Sequence, residues 1–205
     1  PRSLMDAFER LHPGVQYHLA NTLRWNGLRP TQAQAVGPIL AGQDTLVLAP
    51  TAGGKTEAAV FPLLSRMASE DWQGVSVLYI CPLRALLNNL QPRIHGYAQW
   101  LGRSAAVWHG DVGQSQRQRI LADRPDFLLT TPESLEAMLV STKVDPRVLF
   151  SGLQAVVVDE IHAFAGDGVA LQSQSREACG DGGLAVRGRR AEGFSGESGD
   201  GGVWR

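Results

Sequence analysis

Cysteine is nearly missing from the 205 residues, with Cys81 inside an apolar run and Cys179 in a glycine-rich stretch. Two such residues give neither a disulfide framework nor a metal-ligand spacing, and a reducing cytoplasm is the expected compartment. Net charge is scarce as well: 19 Lys plus Arg against 20 Asp plus Glu leave a formal -1. That balance excludes a polybasic coat and confines any nucleic-acid contact to a local surface. Lysine is as rare as cysteine, only Lys55 and Lys143. No apolar stretch approaches the ~18 residues of a membrane span, and the first ten residues lack the basic start and apolar core of a signal peptide. A soluble, intracellular protein without a membrane partner is expected. The length suits one ordinary domain and is too short for two large ones.

From residue 45 onward, short β-branched or leucine-rich runs alternate with longer helical segments. Strands are expected at Thr45–Ala49, Val75–Ile80, Ala105–Trp108, Phe127–Thr130 and Ala155–Asp159. Helices are expected at Lys55–Ser69, Leu83–Leu101, Gln114–Ala122 and Glu133–Ser141. This is the rhythm of an α/β fold whose mainly parallel sheet is covered on both faces, with ligands beyond the carboxyl ends of the strands. Residues 1–44 read as a helical lead-in, in which Pro30-Thr31 opens a helix through Gln34 and Ile39. Past about Gly166 the pattern stops, and the last 30 residues hold nine of the 23 glycines. Such a Gly/Arg/Ser-rich segment, 169–205, buries too little surface to offset its ordering entropy and reads as a disordered tail.

Ala49-Pro50-Thr51-Ala52-Gly53-Gly54-Lys55-Thr56 follows an apolar strand and opens a helix, which is the context and spacing of a phosphate loop. Glycines at 53 and 54 let the backbone wrap an anion, with N–H groups and the helix N-terminus pointing at phosphates. Lys55 would reach the β and γ phosphates of ATP, and the Thr56 hydroxyl would take a place on Mg²⁺. Ala49 stands where the motif usually has glycine. Ala155-Val156-Val157-Val158 then delivers Asp159-Glu160 to a strand end, where a buried strand by itself needs no charge. Asp159 suits the Mg²⁺ shell, and Glu160 can orient the water that attacks the γ phosphate. Alone, such a pair could as well cap the next helix. His162, two residues on, is either an ordinary hydrogen-bonded histidine or a relay between nucleotide and polymer sites.

These segments resemble motifs I and II of superfamily 2 helicases of the DEAD/DEAH kind. Others follow in the same order. Arg29-Pro30-Thr31-Gln32-Ala33-Gln34 resembles the Q motif, with Gln34 expected on the adenine edge. Pro82-Leu83-Arg84-Ala85-Leu86 resembles motif Ia, Thr131-Pro132-Glu133-Ser134-Leu135 resembles motif Ib, and His109-Gly110-Asp111 sits where these enzymes carry a Gly-Asp or Gly-Gly contact. The stretch from Trp108 to Gly166 looks most like the large helicase-related (Lhr) branch. The resemblance implies a three-layer RecA-like domain over 45–168. It also implies an ATP site of Gln34, Pro50, Thr51, Ala52, Gly53, Gly54, Lys55, Thr56 and Asp159, with Lys55 and Glu160 catalytic. Single-stranded DNA or RNA would be held through its backbone by Arg84, Gly110, Asp111, Thr131, Pro132 and Glu133.

Read singly, Arg84 is as well a solvated helix residue and Thr131 an N-cap before Pro132; the ordered set favours the polymer rim. Trp25, Trp72, Trp100 and Trp108 read as core or partly buried packing, and Arg117, Arg119 and Arg124 as a solvated face. The family continues beyond motif II to a Ser-Ala-Thr motif and a second RecA-like domain that supplies arginine fingers, and neither is expected within these 205 residues. The chain alone is therefore expected to bind Mg-ATP weakly and to hydrolyse it slowly if at all. Two other readings share the loop: a truncated, non-catalytic nucleotide or nucleic-acid binding module, and a small-molecule P-loop kinase. The kinase reading gives no reason for the Q-like, Ia-like and Ib-like segments.

Overall fold

The computed structural model describes residues 2–50, 53–164 and 183–188. Three helices lead in, α1 (Arg2–Glu9), α2 (Pro13–Asn21) and α3 (Pro30–Leu40), followed by β1 (Thr45–Leu48) and α4 (Lys55–Ser69). Then come β2 (Val77–Ile80), α5 (Arg84–Gln99), β3 (Ala105–Trp108), α6 (Gln114–Asp123), β4 (Phe127–Thr130), α7 (Pro132–Leu139), α8 (Pro146–Leu149) and β5 (Ala155–Val158). A 3₁₀ turn, Ile161–Phe164, and a last strand, β6 (Gly183–Gly188), complete the described elements. Each expected strand and helix from 45 to 159 is present, with no end shifted by more than two residues. Local chemistry sets several starts. Pro13, Pro30, Pro132 and Pro146 each open a helix. Thr131 caps α7 by accepting the Ser134 N–H at 3.3 Å, and the Asp145 carboxylate caps α8 through the Arg147 N–H at 2.9 Å.

The six strands form one sheet in the order β1-β6-β5-β2-β4-β3. β5, β2, β4 and β3 run parallel, whereas β6 pairs antiparallel with both β1 and β5. Two-residue alternation divides the core into layers. Val77, Tyr79, Phe127, Leu129, Ala155 and Val157 pack on the side of α3, α4 and α5. Leu78, Leu128, Trp108 and Val75 pack on the opposite side with Ile120 of α6, Met138 of α7 and Leu149 of α8. Helix α4 is buried without interruption from Thr56 to Met67, as befits the helix beneath a central site. The tryptophans pack as expected: Trp72 and Trp108 are buried, Trp25 meets Phe61 edge-on and Trp100 stacks on His18.

β6 departs from the expectation of a structureless tail over 169–205. Leu184 and Val186 are buried in the α3/α4 layer, and Val186 faces Thr45 on one side and Val157 on the other. Two inward apolar residues in alternation suffice for a strand whose hydrogen bonds are made on both edges, and averaged composition hides so short a pattern. The rest of that tail lies outside the described residues. No helix among the described residues is long and apolar enough to cross a membrane.

Candidate nucleotide site and nucleic-acid rim

The carboxyl ends of β1 and β5, the start of α3 and one face of α5 enclose a cleft of about 430 Å³, a size suited to a small ligand. Gly53, Gly54, Lys55 and Thr56 line one wall, Asp159 and Glu160 another, and Arg29 and Gln32 a third. The phosphate loop needs both of its glycines. A Cβ on Gly53 would stand 2.8 Å from the Ala49 Cβ and from the Pro50 carbonyl oxygen. Gly54 caps α4 at φ +79°, a left-handed conformation, and a Cβ there would run into the Gln32 amide. The Gly53 N–H closes the turn onto the Pro50 carbonyl at 2.8 Å. Lys55 lies back over the loop and donates to the Ala49 carbonyl at 2.8 Å. Pro50 is exposed beside this turn, and Thr51 and Ala52 lie outside the described residues.

Asp159 is 7% exposed and held at both oxygens. The Tyr79 hydroxyl donates to Oδ2 at 2.6 Å, and the Glu160 N–H donates to Oδ1 at 2.9 Å. Glu160 itself has φ 53°. A non-glycine residue in this region costs of order 1 kcal/mol, and such strain concentrates at functional sites. Its carboxylate lies 3.3 Å from Nδ1 of the half-exposed His162. Burial, reinforced by the nearby Asp159 carboxylate, drives the Tyr79 phenol well above its usual range. Burial likewise pushes the neighbouring Cys81 thiol to about 11. Both groups remain neutral donors at physiological pH.

The glutamine lining this cleft is Gln32, two residues before the Gln34 expected on the adenine edge. Gln34 is exposed on α3. Gln32 is 1% exposed; its Oε1 accepts the Arg29 N–H at 2.9 Å, and its amide reaches the Gly54 carbonyl. Helical geometry separates the two residues by about 200°, so only one can face the loop. Three further residues of the cleft escaped the sequence reading. Glu57 accepts the Tyr97 hydroxyl at 3.1 Å and pairs with Arg93 at 3.3 Å, while Asn89 lies beside them on α5. Burial, followed by the Glu57 charge, raises the Tyr97 phenol to about 12.

A second cluster occupies the same rim of the sheet. Arg84, the first residue of α5, donates to Asp111 at 3.0 Å, and the Cβ position of Gly110 lies 3.0 Å from the Arg84 guanidinium. Thr131 joins this rim differently from the sequence expectation: it is 1% exposed, and its hydroxyl is engaged in capping α7, so its side chain is internal. Pro132 and Glu133 follow at the start of α7, Glu133 exposed. Arg117, taken from sequence as solvated, donates to the carbonyls of His109 and Gly110 at 3.1 and 3.0 Å. It also lies over the Trp108 ring and so fixes the turn that carries Gly110 and Asp111. Arg119 and Arg124 are exposed as expected.

The profile of the DEAD/DEAH box helicase family matches residues 29–179. The chain belongs to this family. It is 39% identical over 151 residues to the Lhr helicase/probable uracil glycosylase of Mycolicibacterium smegmatis, covering 66% of this chain and 10% of that protein. It is 33% identical over 157 residues to the ATP-dependent helicase Lhr-Core of Methanocaldococcus jannaschii, covering 68% of this chain and 18% of that protein. The structure of Mycobacterium smegmatis helicase Lhr bound to ssDNA and AMP-PNP superposes with a TM-score of 0.64 at 36% identity, over 78% of this chain and 21% of that one. DEAD-box helicase Mss116 bound to ssRNA and UDP-BeF shares the fold, with a TM-score of 0.64 at 20% identity over 77% of this chain and 32% of that one. The chain thus spans only a tenth to a fifth of the length of the two Lhr proteins. The matched region is the helicase motor domain of RecA-like fold.

Proposed function

We propose that this chain is the ATP-binding part of a nucleic-acid-dependent ATPase, coupling hydrolysis to strand translocation or unwinding in a longer cytoplasmic parent. The observation that carries the reading is the convergence on one cleft of a glycine-built phosphate loop, a buried glutamine and an Asp-Glu pair. The phosphates would lie against the loop and the α4 N-terminus, where backbone N–H groups and the helix dipole favour negative charge. Lys55 would leave its resting bond to Ala49 for the β and γ phosphates, and Gln32 would bond the adenine edge. Glu160, presented by its left-handed backbone, would orient the attacking water.

Magnesium fits this donor set: a hydroxyl and one carboxylate supply little by themselves, and Mg²⁺ in such sites keeps most of its shell as water and phosphate oxygen. Thr56 and Asp159 would hold it, and when bound it neutralises charge developing on the phosphates. Arg84, the Gly110 turn and the N–H groups opening α7 would hold the backbone of single-stranded DNA or RNA without reading bases, with Asp111 setting the local charge. A second RecA-like domain, supplying arginine fingers, is the proposed partner in catalysis. Such an arginine is worth ~10³ to 10⁵ in rate, so this chain alone should bind Mg-ATP weakly and turn it over slowly.

Binding of a fluorescent ATP analogue with and without single-stranded DNA, beside a phosphate-release assay, tests the reading. The expected result is Mg²⁺-dependent binding lost in Lys55→Ala, with little turnover. Phosphate transfer to a small acceptor would instead identify a kinase. No nucleotide binding at all would overturn the proposal.

A further inference from the structure

We infer that Tyr79 is a positioning residue for the acidic strand end, holding the Asp159 carboxylate in the orientation that receives the divalent cation. The inference rests on the reading of the cleft as a Mg-nucleotide site and adds a residue to it that lies outside every recognised motif segment.

The geometry follows from strand register. β2 and β5 are parallel with Tyr79 opposite Val157. Side chains repeat every two residues, so Asp159 is the next side chain beyond Val157 on the same face as Tyr79. That face is the α4 side, where Thr56 is the second residue of the helix. Tyr79 is fully buried in a strand otherwise made of Val77, Leu78 and Ile80. A phenol in such a place is costly unless its hydroxyl is bonded, and an aliphatic residue would fill the layer without that requirement. The hydroxyl meets its need at Asp159, with the short 2.6 Å separation typical of a hydrogen bond to an ionised carboxylate. Thr56 is a second hydrogen-bonding neighbour of the same phenol. One buried hydroxyl therefore bonds the carboxylate assigned to the cation and lies near the assigned threonine.

With Oδ1 taken by the Glu160 N–H, the carboxylate cannot rotate without breaking a bond at one oxygen or the other. Each oxygen keeps a further lone pair for a water of the metal shell. Without the phenol, Oδ2 loses its only side-chain anchor among the described residues, and Asp159 must be reoriented each time the cation arrives.

Tyr79→Phe removes one oxygen and keeps the ring that fills the core. In the full 205-residue chain, the affinity for a fluorescent ADP analogue is measured in saturating Mg²⁺ and in EDTA. The expected result is a fall of about tenfold in the Mg²⁺-dependent gain in affinity, the size of one hydrogen bond to a charged group, with the affinity in EDTA unchanged. A purely structural role would weaken both affinities together or lower only the melting temperature, and either pattern overturns the inference. Should the variant not fold, the wild-type chain gives an independent reading through tyrosine labelled with ¹³C at Cζ. The Tyr79 resonance should shift on adding ADP with Mg²⁺ and stay in place with ADP and EDTA; no metal-dependent shift overturns the inference. Wild-type Mg²⁺-dependent binding that Lys55→Ala abolishes and Tyr79→Phe retains in full sinks the role of Tyr79 alone. A wild-type chain with no such binding sinks the nucleotide reading, and this inference with it.

Discussion

The Arg84 guanidinium donates to the Asp111 carboxylate at 3.0 Å, tying the start of α5 to the turn after β3. Both side chains are more than half exposed, at 55% and 67%, so the pair contributes at most about 1 kcal/mol. A phosphate can displace Asp111 from Arg84 at little cost, while the displaced carboxylate stays near enough to repel it. Asp111→Asn should therefore tighten binding of a labelled single-stranded oligonucleotide by about two- to threefold at low salt, and Arg84→Ala should weaken it several-fold. Fluorescence anisotropy across a salt series checks this. A gain in Asp111→Asn that persists at high salt would contradict an electrostatic origin.

The two glutamines of α3 should behave oppositely. Gln32→Ala removes the amide against the phosphate loop and should weaken binding of an ATP analogue about tenfold, narrowing the preference for ATP over GTP. Gln34→Ala, at an exposed position, should leave affinity unchanged. Competition titrations with the two nucleotides distinguish the variants, and equal effects would place the adenine elsewhere.

Glu70 offers a pH-dependent reporter of stability remote from the site. Burial raises its carboxyl pKa, but hydrogen bonds from Arg66 and Trp72, together with the Arg66 charge, outweigh this and leave it below 4.5. A lowered folded-state value means that the stabilisation is fully present above 4.5 and is lost as pH falls through the folded value. Glu70→Gln should cost about 1 kcal/mol near neutral pH, the partial exposure of the carboxylate limiting the effect. The gap from wild type should close as the solution becomes strongly acidic. Urea denaturation at a series of pH values measures it.

The motor half of the fold was legible because its signals are local. Val157 beside Asp159, Gly54 before Lys55 and Pro132 after Thr131 each carry a strand end, a tight turn or a helix start in two or three residues. What sequence could not show was direction. Gln32 and Gln34 differ by two positions, and only the packing of α3 against α4 decides which one turns inward. Arg117 looks like its neighbours Arg119 and Arg124 until the Trp108 ring and the Gly110 carbonyl are placed beside it. Tyr79 belongs to an apolar run and discloses its polar role only through the register between β2 and β5. Thr131, which fits a phosphate contact or a cap equally well by type, is committed to the cap by burial.

β6 gives the sheet an uneven mechanical design. β1, which carries the phosphate loop, and β5, which carries Asp159 and Glu160, share no hydrogen bond; each bonds to β6, the first through Thr45 to Leu48 and the second through Ala155 to Val158. The alignment of lysine with carboxylates is thus transmitted within the sheet by six residues drawn from far along the chain. A load that peels Gly183–Gly188 away would part the two halves of the cleft while leaving the four-stranded remainder zipped together.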